Sequence, residues 1–442
     1  MKVNKVILSV VVLLVTVALL FGACAKPAPP PAPAPKPAPA PAPAPKPAPA
    51  PAPAPYKWPK GVSIVTPDMQ SGSYPEIAGW ATELEKDVGL KMRLVPEKNT
   101  ALSGRWHKAG EVDMMHQSEA GMIYIVSAAY FRPDRQDRDG GPYDVRGVTV
   151  RPVGYRLFFA ATDSGITSFA DIKKKAEAGE KVRMARFTNV PMFWNGLLEM
   201  LEITKDQVEF VDYSSFAATA KAVIEGHADV SWQTPVGGLA AQLEASPRGT
   251  TWLEFPTMEE DQAAIERFMK HFAFTTWGPV KNGVKGTLGI HTMNSIGWTW
   301  GRADMDDDLA YNMLKWQMNN LDKFKDKTGD SKLMNKETLE YNISVATLPV
   351  HNGVIKYCKD LGIWKPQHDA RQMYNLWLIE RYKDAYAAAI AEADKQGIEV
   401  DPENDVWRAL WKKTGTEVHK LPSFAAMTDA QIKEAIAKYN VK

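Results

Sequence analysis

Gly110-Glu-Val-Asp113, followed by Gln117, returns 116 residues later as Gly226-His-Ala-Asp229, followed by Gln233. The same offset relates Pro75 of Gly72-Ser-Tyr-Pro75 to Pro191 of Thr188-Asn-Val-Pro191. It also relates Lys91-Met-Arg-Leu-Val95 to Gln207-Val-Glu-Phe-Val211, and Asn99 to Ser215. Five features held in one register mark an internal repeat. Each copy reads as strand, loop, helix, strand, helix, strand, helix. In the first, 62–65 is a short strand, Ser73 and Glu76 form a capping-box pair, and Ile77, Trp80 and Leu84 recur at helical spacing. Residues 92–95 make the second strand, 102–109 a helix ended by Gly110, and 112–115 the third strand, before a helix through Tyr130. In the second, 182–185, 208–211 and 228–232 are strands. Asn189 caps a helix with Pro191 in its first turn, 216–224 is a helix ended by Gly226, and Thr234-Pro235 caps the next. Alternating strands and helices imply two α/β lobes with parallel sheets and right-handed crossovers.

In such sheets ligands bind beyond the carboxyl ends of the strands, at helix N-termini. In lobe one this rule selects Ser71 to Tyr74, with Ser73 and Tyr74 foremost, then Asn99 with Thr100, and His116 with Gln117. In lobe two it selects Arg186, Thr188 and Asn189, then Ser214 with Ser215, and Trp232, Gln233 and Thr234. Two such edges facing each other make a cleft of converging N–H groups, suited to an anionic or strongly polar small ligand. Arg186 suits a carboxylate through a bidentate pair; the alternative is a surface salt bridge. Tyr74, Trp194 and Trp232 either line an apolar wall or pack in the core, and core packing fits Trp194 best.

The 442 residues carry a formal charge of +1 and no long basic run, which argues against nucleic acid as a partner. Two cysteines, Cys24 and Cys358, cannot form a disulfide scaffold or a thiolate metal cluster, and no metal or cofactor is implied. Lys2 and Lys5 precede an apolar run over 6–21, and the small pair Gly22-Ala23 precedes Cys24. This is a secretory signal of the lipoprotein kind: 1–23 is removed and Cys24 is lipidated. Lys26 to Pro55 is almost only Pro and Ala and holds 16 of the 32 prolines. It is a polyproline stalk reaching on the order of 90 Å. The remaining 387 residues hold 48 basic and 52 acidic side chains, enough chain for two cored domains.

A secreted chain with two α/β lobes resembles a bacterial solute-binding protein. More narrowly, it is similar to the TAXI solute-binding proteins of TRAP (tripartite ATP-independent periplasmic) transporters. The motifs that carry this are Gly72-Ser73-Tyr74, Gly110-Glu-Val-Asp113 with Gln117-Ser-Glu119, and Asp163-Ser-Gly-Ile166 with Ala170-Asp-Ile172. Pro349-Val-His-Asn-Gly353, Tyr357 and Leu361-Gly-Ile-Trp364 complete them, over about 61–365. The loops that hold ligand in that family differ here, around 99–105 and 186–190. The resemblance implies a two-lobe periplasmic-binding-protein-like fold, type II-like, with the cleft between the lobes. Lobe one is 56–157 with a return segment 300–366, and lobe two is 158–299. Strands cross between them near 155–160 and 296–300, and a helical extension covers 367–442. It further implies an extracytoplasmic lipoprotein, not an enzyme, that captures a small organic anion and delivers it to a TRAP permease. The alternatives are a binding lipoprotein for an ABC transporter or sensor, and an enzyme on the same scaffold, for which His116 with Glu119 is the one acid–base candidate. His351 reads as a turn residue, Asp306 to Asp308 as charge at a helix start, and Cys358 as a packed thiol.

Overall fold

The computed structural model describes residues 56–67, 69, 73–97, 99–129, 136–188, 191–213, 216–271, 276–422 and 427–442. Lobe one opens with β1 (Gly61–Thr66), α1 (Ser73–Val88), β2 (Lys91–Pro96), α2 (Thr100–Ala109), β3 (Met114–Ser118) and α3 (Glu119–Val126). β4 (Val145–Ala161) leads into lobe two: α4 (Phe169–Glu177), β5 (Val182–Phe187), α5 (Pro191–Leu201), β6 (Val208–Tyr213), α6 (Phe216–Ile224), β7 (Val230–Gln233) and α7 (Gly238–Glu244). Then come β8 (Thr250–Trp252), α8 (Gln262–Met269), β9 (Thr276–Pro279) and β10 (His291–Arg302).

The main strand order is β2-β1-β3-β10-β4-β7-β5-β6, which reads the same from either end. β1 pairs in parallel with β2 and β3, and β5 with β6 and β7. Each third strand then meets a strand crossing from the other lobe, antiparallel: β3 meets β10, and β7 meets β4. β4 and β10 pair with each other from Val145–Arg302 to Arg156–Met293, with a bulge where Gly154 and Arg151 oppose Ser295 and Gly297. The repeat is therefore a structural one.

Its motif residues do matching work. Gly110 and Gly226 take φ of 79° and 83°, the left-handed turn that ends a helix and that side chains disfavour. Asp113 Oδ2 then accepts from Ser63 N and Oγ of β1, both at 2.7 Å. Asp229 Oδ2 accepts from Arg183 N of β5 at 3.3 Å and Nε at 3.0 Å. In each lobe the aspartate ties the start of the third strand to the first.

The return segment carries α9 (Asp307–Asn319), α10 (Lys336–Val345) and α11 (Asn352–Asp360). Asp306 caps α9 by accepting from Leu309 N at 2.7 Å, and His351 caps α11 through Gly353 N. Both are the structural roles expected. Cys358 is buried. The extension forms α12 (Pro366–Gln396), α13 (Asp405–Thr414), α14 (Thr416–His419) and α15 (Asp429–Tyr439), the last opened by the Thr428–Gln431 capping box. One apolar core runs from lobe two through lobe one into these helices. Trp407 and Trp411 are fully buried there. Their Nε1 groups donate to Gln136 O at 2.5 Å and Ala128 O at 2.8 Å. Each ring removes on the order of 200 Å² from water, about 5 kcal/mol as an upper bound. The extension is thus part of the body of lobe one. Among the described residues, no helix is long and apolar enough to cross a membrane.

Two local expectations change. The third strand of lobe one runs 114–118 instead of 112–115, because Asp113 is spent on Ser63. α7 starts at Gly238 after Gly237, and Thr234 turns instead to Gln233 and Val236 O. The Glu76 carboxylate of α1 accepts from Arg151 Nε at 3.0 Å.

Candidate functional site

The third strands end on matching glutamines. Gln117 Oε1 accepts from Ser118 N at 2.9 Å and Oγ at 3.3 Å. Gln233 Oε1 accepts from Thr234 N at 2.8 Å and Oγ1 at 3.3 Å. Each side chain folds over the backbone turn that leaves its strand. Gln233 is 1% exposed, and its Nε2 has no partner among the described residues.

The crossing strands lie between these two ends. Gly297 of β10 opposes Ser118, and Leu157 of β4 opposes Gln233. Opposed residues share a face, so the bulge puts Arg151, Gly154 and Arg156 on one face with Ser295 and Gly297. Helices α1 and α5 stand on that same face: Glu76 of α1 grips Arg151, and Trp194 of α5 packs 5.4 Å from Phe158, two residues beyond Arg156. Helices α1 and α5 therefore start near a floor made of these strands.

Two arginines occupy that floor in different states. Arg151 is paired bidentately with Glu76, Nε to Oε1 at 3.0 Å and Nη2 to Oε2 at 3.2 Å. His116 stands beside them, fully buried, with Nε2 3.8 Å from Glu76 Oε1. Burial and the Arg151 charge hold its pKa well below the usual imidazole value, so the ring is neutral. Arg156 has no carboxylate partner among the described residues. Its Nη1 donates to Ser295 Oγ at 2.9 Å and to Gly154 O at 3.2 Å, and burial lowers its pKa. A guanidinium has five N–H donors, and a partly desolvated one without a counter-charge favours an anion strongly.

The residues selected from the sequence divide into groups. Ser73 and Tyr74 are the first residues of α1, with Tyr74 half-buried, and Thr100 opens α2. Asn99 caps α2, its Oδ1 accepting from Ala101 N at 2.9 Å and Leu102 N at 3.2 Å. Gln117, Gln233 and Thr234 stand at the strand ends already described. Thr188 is exposed, its N–H donating to Tyr213 O at 3.2 Å. Trp232 is buried and stacked on Phe193 at 4.3 Å, and Trp194 is core. Asn189 and Ser215, with Ser71, Gly72 and Ser214, lie outside the described residues.

Arg186 corrects an expectation. Its neighbour across the β5–β6 pair is Asp212, which takes Nε at 2.6 Å and Nη2 at 2.8 Å, while Phe210 lies 4.5 Å beneath the guanidinium. The cation is already committed at the surface. The His116–Glu119 acid–base pair also fails, because Glu119 turns to Thr347 N at 3.3 Å and His116 faces Glu76. Arg156 was not among the residues selected. Its signal was available: an arginine inside the otherwise apolar crossing strand Tyr155-Arg-Leu-Phe-Phe-Ala160.

Residues 134–362 match the model of the NMT1-like family, just over half of the chain. No curated protein matches it. Among solved structures, one described as the periplasmic sulfonate-binding protein SsuA from Methylobacillus flagellatus KT is 12% identical. That alignment covers 87% of this chain and 96% of the other, with a TM-score of 0.36. The periplasmic binding protein BugD is 10% identical, covering 87% and 99%, with a TM-score of 0.36. An extracellular-binding protein of an amino-acid ABC transporter from Bacillus subtilis is 10% identical, covering 60% and 95%, with a TM-score of 0.37.

Proposed function

The chain belongs to the NMT1-like family, and from that premise we propose that it is an extracytoplasmic solute-binding protein that captures a small organic anion between its lobes. The observation that carries this reading is Arg156. It stands on a strand shared by both lobes, between the ends of β3 and β7, without a carboxylate partner among the described residues. A carboxylate or similar anion completes its hydrogen bonds and gains from the helix starts on the same face. Because β4 and β10 are the strands that pass between the lobes, closure around the solute is hinge motion about them. No bond is made or broken in this mechanism. Binding energy closes the lobes, and the closed form is what a membrane permease receives.

The finer reading is a lipoprotein anchored through Cys24, held off the membrane by the stalk over 26–55, and serving a TRAP permease. It rests on the Cys24 context and on the Gly72-Ser-Tyr74, Gln117-Ser-Glu119 and Pro349-to-Gly353 motifs. A neighbouring gene for a TRAP permease supports it; a neighbouring transport ATPase favours the ABC alternative. Replacing Cys24 with Ser should release the protein from membranes.

The solute class is tested by thermal melts of the full-length protein against dicarboxylates, keto acids, amino acids, aromatic acids, sulfonates, sugars and polyamines. A ligand at a hundred times its Kd adds roughly 2.7 kcal/mol. A shift with one class of acid supports the reading. A shift with sugars or polyamines alone overturns the anion.

A further inference from the structure

The crossing strands have a second face. On β4, Tyr155 precedes Arg156, and on β10, Asn294 precedes Ser295, so strand alternation points each of these neighbours away from the arginine floor. Tyr155 and Asn294 open on a cavity of about 270 Å³. Trp277 of β9 and Lys281 wall it from one side, and Leu333 and Tyr341 from the other. Two contacts hold these walls together. Lys281 Nζ lies 2.8 Å from Glu337 Oε1, and Asn282 Nδ2 donates to Asp330 Oδ1 at 2.5 Å.

The polar group in this aromatic chamber is half-satisfied. Asn294 is 4% exposed. Its Oδ1 accepts from Thr276 Oγ1 and, at 3.4 Å, from the Tyr341 hydroxyl. Its Nδ2 has no partner among the described residues, and a Cβ on Gly278, in the cavity wall, would sit 3.4 Å from it. This amide donor faces the cavity, where an occupant that accepts from it takes the place of water.

We propose that this cavity is a binding site for a small, uncharged aromatic molecule bearing a carbonyl acceptor. The rings of Tyr155, Trp277 and Tyr341 supply apolar walls for a planar ring, and Asn294 Nδ2 supplies the donor. Lys281 is already neutralised by Glu337, so the ligand brings no charge of its own. The volume lies just under the roughly 300–1,000 Å³ of drug-sized pockets, which suits one ring with a short substituent. The site lies on the opposite face of β4 and β10 from the arginine floor.

Calorimetric titration of the full-length protein with benzamide, cyclohexanecarboxamide and toluene tests this. Benzamide should bind at least tenfold more tightly than either of the others, one lacking the aromatic ring and the other the acceptor. Asn294→Leu should erase the preference over toluene. Leu333→Trp, which fills the chamber, should abolish binding, and Val153→Trp serves the same purpose if the first variant does not fold. Arg156→Ala should leave the benzamide Kd unchanged, which keeps this site's failure distinct from failure of the anion cleft. No benzamide binding at millimolar concentration overturns the proposal, as does binding that survives a filled chamber.

Discussion

Glu119 offers a test of the interior that needs no ligand. It follows the Ser118 cap at the first position of α3 and is 1% exposed. Oε1 accepts one long hydrogen bond, from Thr347 N at 3.3 Å, and Oε2 has none among the described residues. Burial pushes its pKa up from 4.5 to about 8. A carboxyl raised in the folded state stays protonated there while the unfolded chain releases its proton, so stability falls as pH rises between 4.5 and 8. Below about 7.5 a second effect enters. Burial lowers His107 to about 3 and His419 to about 4, and both then disfavour folding as pH drops. Burial lowers His116, His351 and His368 as well, so Glu119 is isolated by the difference between the wild type and a variant lacking it, taken across the window from pH 6.5 to 8. At 1.36 kcal/mol per unit, the loss across it is roughly 1.5–2 kcal/mol. Urea unfolding at pH 6.5, 7.25 and 8 should show the wild type losing this much stability relative to Glu119→Gln. Absolute stability is the weaker readout, because the substitution also changes the contacts with Thr347. Equal slopes in the two proteins would refute the reasoning.

Three further outcomes follow from packing and charge. Gly353→Ala places a Cβ 2.1 Å from Asp307 O and 2.6 Å from Tyr311 N, both backbone, so it should cost more than about 4 kcal/mol and abolish soluble expression. Arg186→Ala removes a surface ion pair whose members are 31% and 49% exposed, so urea titration should show a loss of no more than about 1 kcal/mol and the solute Kd should stay within twofold. Cys358, fully buried with its thiol pKa pushed up to about 12, should resist a thiol reagent at pH 8 until denaturant is added.

The duplicated half of the fold was legible because its signals are local. Gly110 and Gly226 must end helices, and Asp113 and Asp229 answer strands in their own lobe. Helix α6 and the Thr428 cap follow the chain's own periodicity and capping chemistry. The strand ends that make the cleft follow from the same alternation, and so do Gln117 and Gln233. What escaped depends on partners distant in sequence. Nothing near Arg186 in the chain announces Asp212, which arrives only when β5 and β6 pair. Glu76 fits a helix-capping pattern with Ser73, and its partner Arg151, 75 residues away, is in reach only once β4 is in place. Arg156 is the reverse case: a charge in an apolar strand, whose meaning depends on the bulge that turns it toward α1 and α5. The C-terminal helices could be drawn from their own periodicity. Their merger with lobe one could not, since Trp407 and Trp411 bond to carbonyls more than 270 residues earlier.

The central claim is that Arg156 is the anion anchor of the cleft. The most direct measurement is the Kd of the best-shifting acid by calorimetry, for the wild type, Arg156→Ala, Arg156→Lys and Arg186→Ala. A desolvated charge pair lost at an interface costs about 2–5 kcal/mol, so Arg156→Ala should weaken binding at least thirtyfold. Arg156→Lys should recover part of that loss, and Arg186→Ala should bind as the wild type does. An unchanged Kd in Arg156→Ala, or a loss that appears in Arg186→Ala instead, would contradict the account.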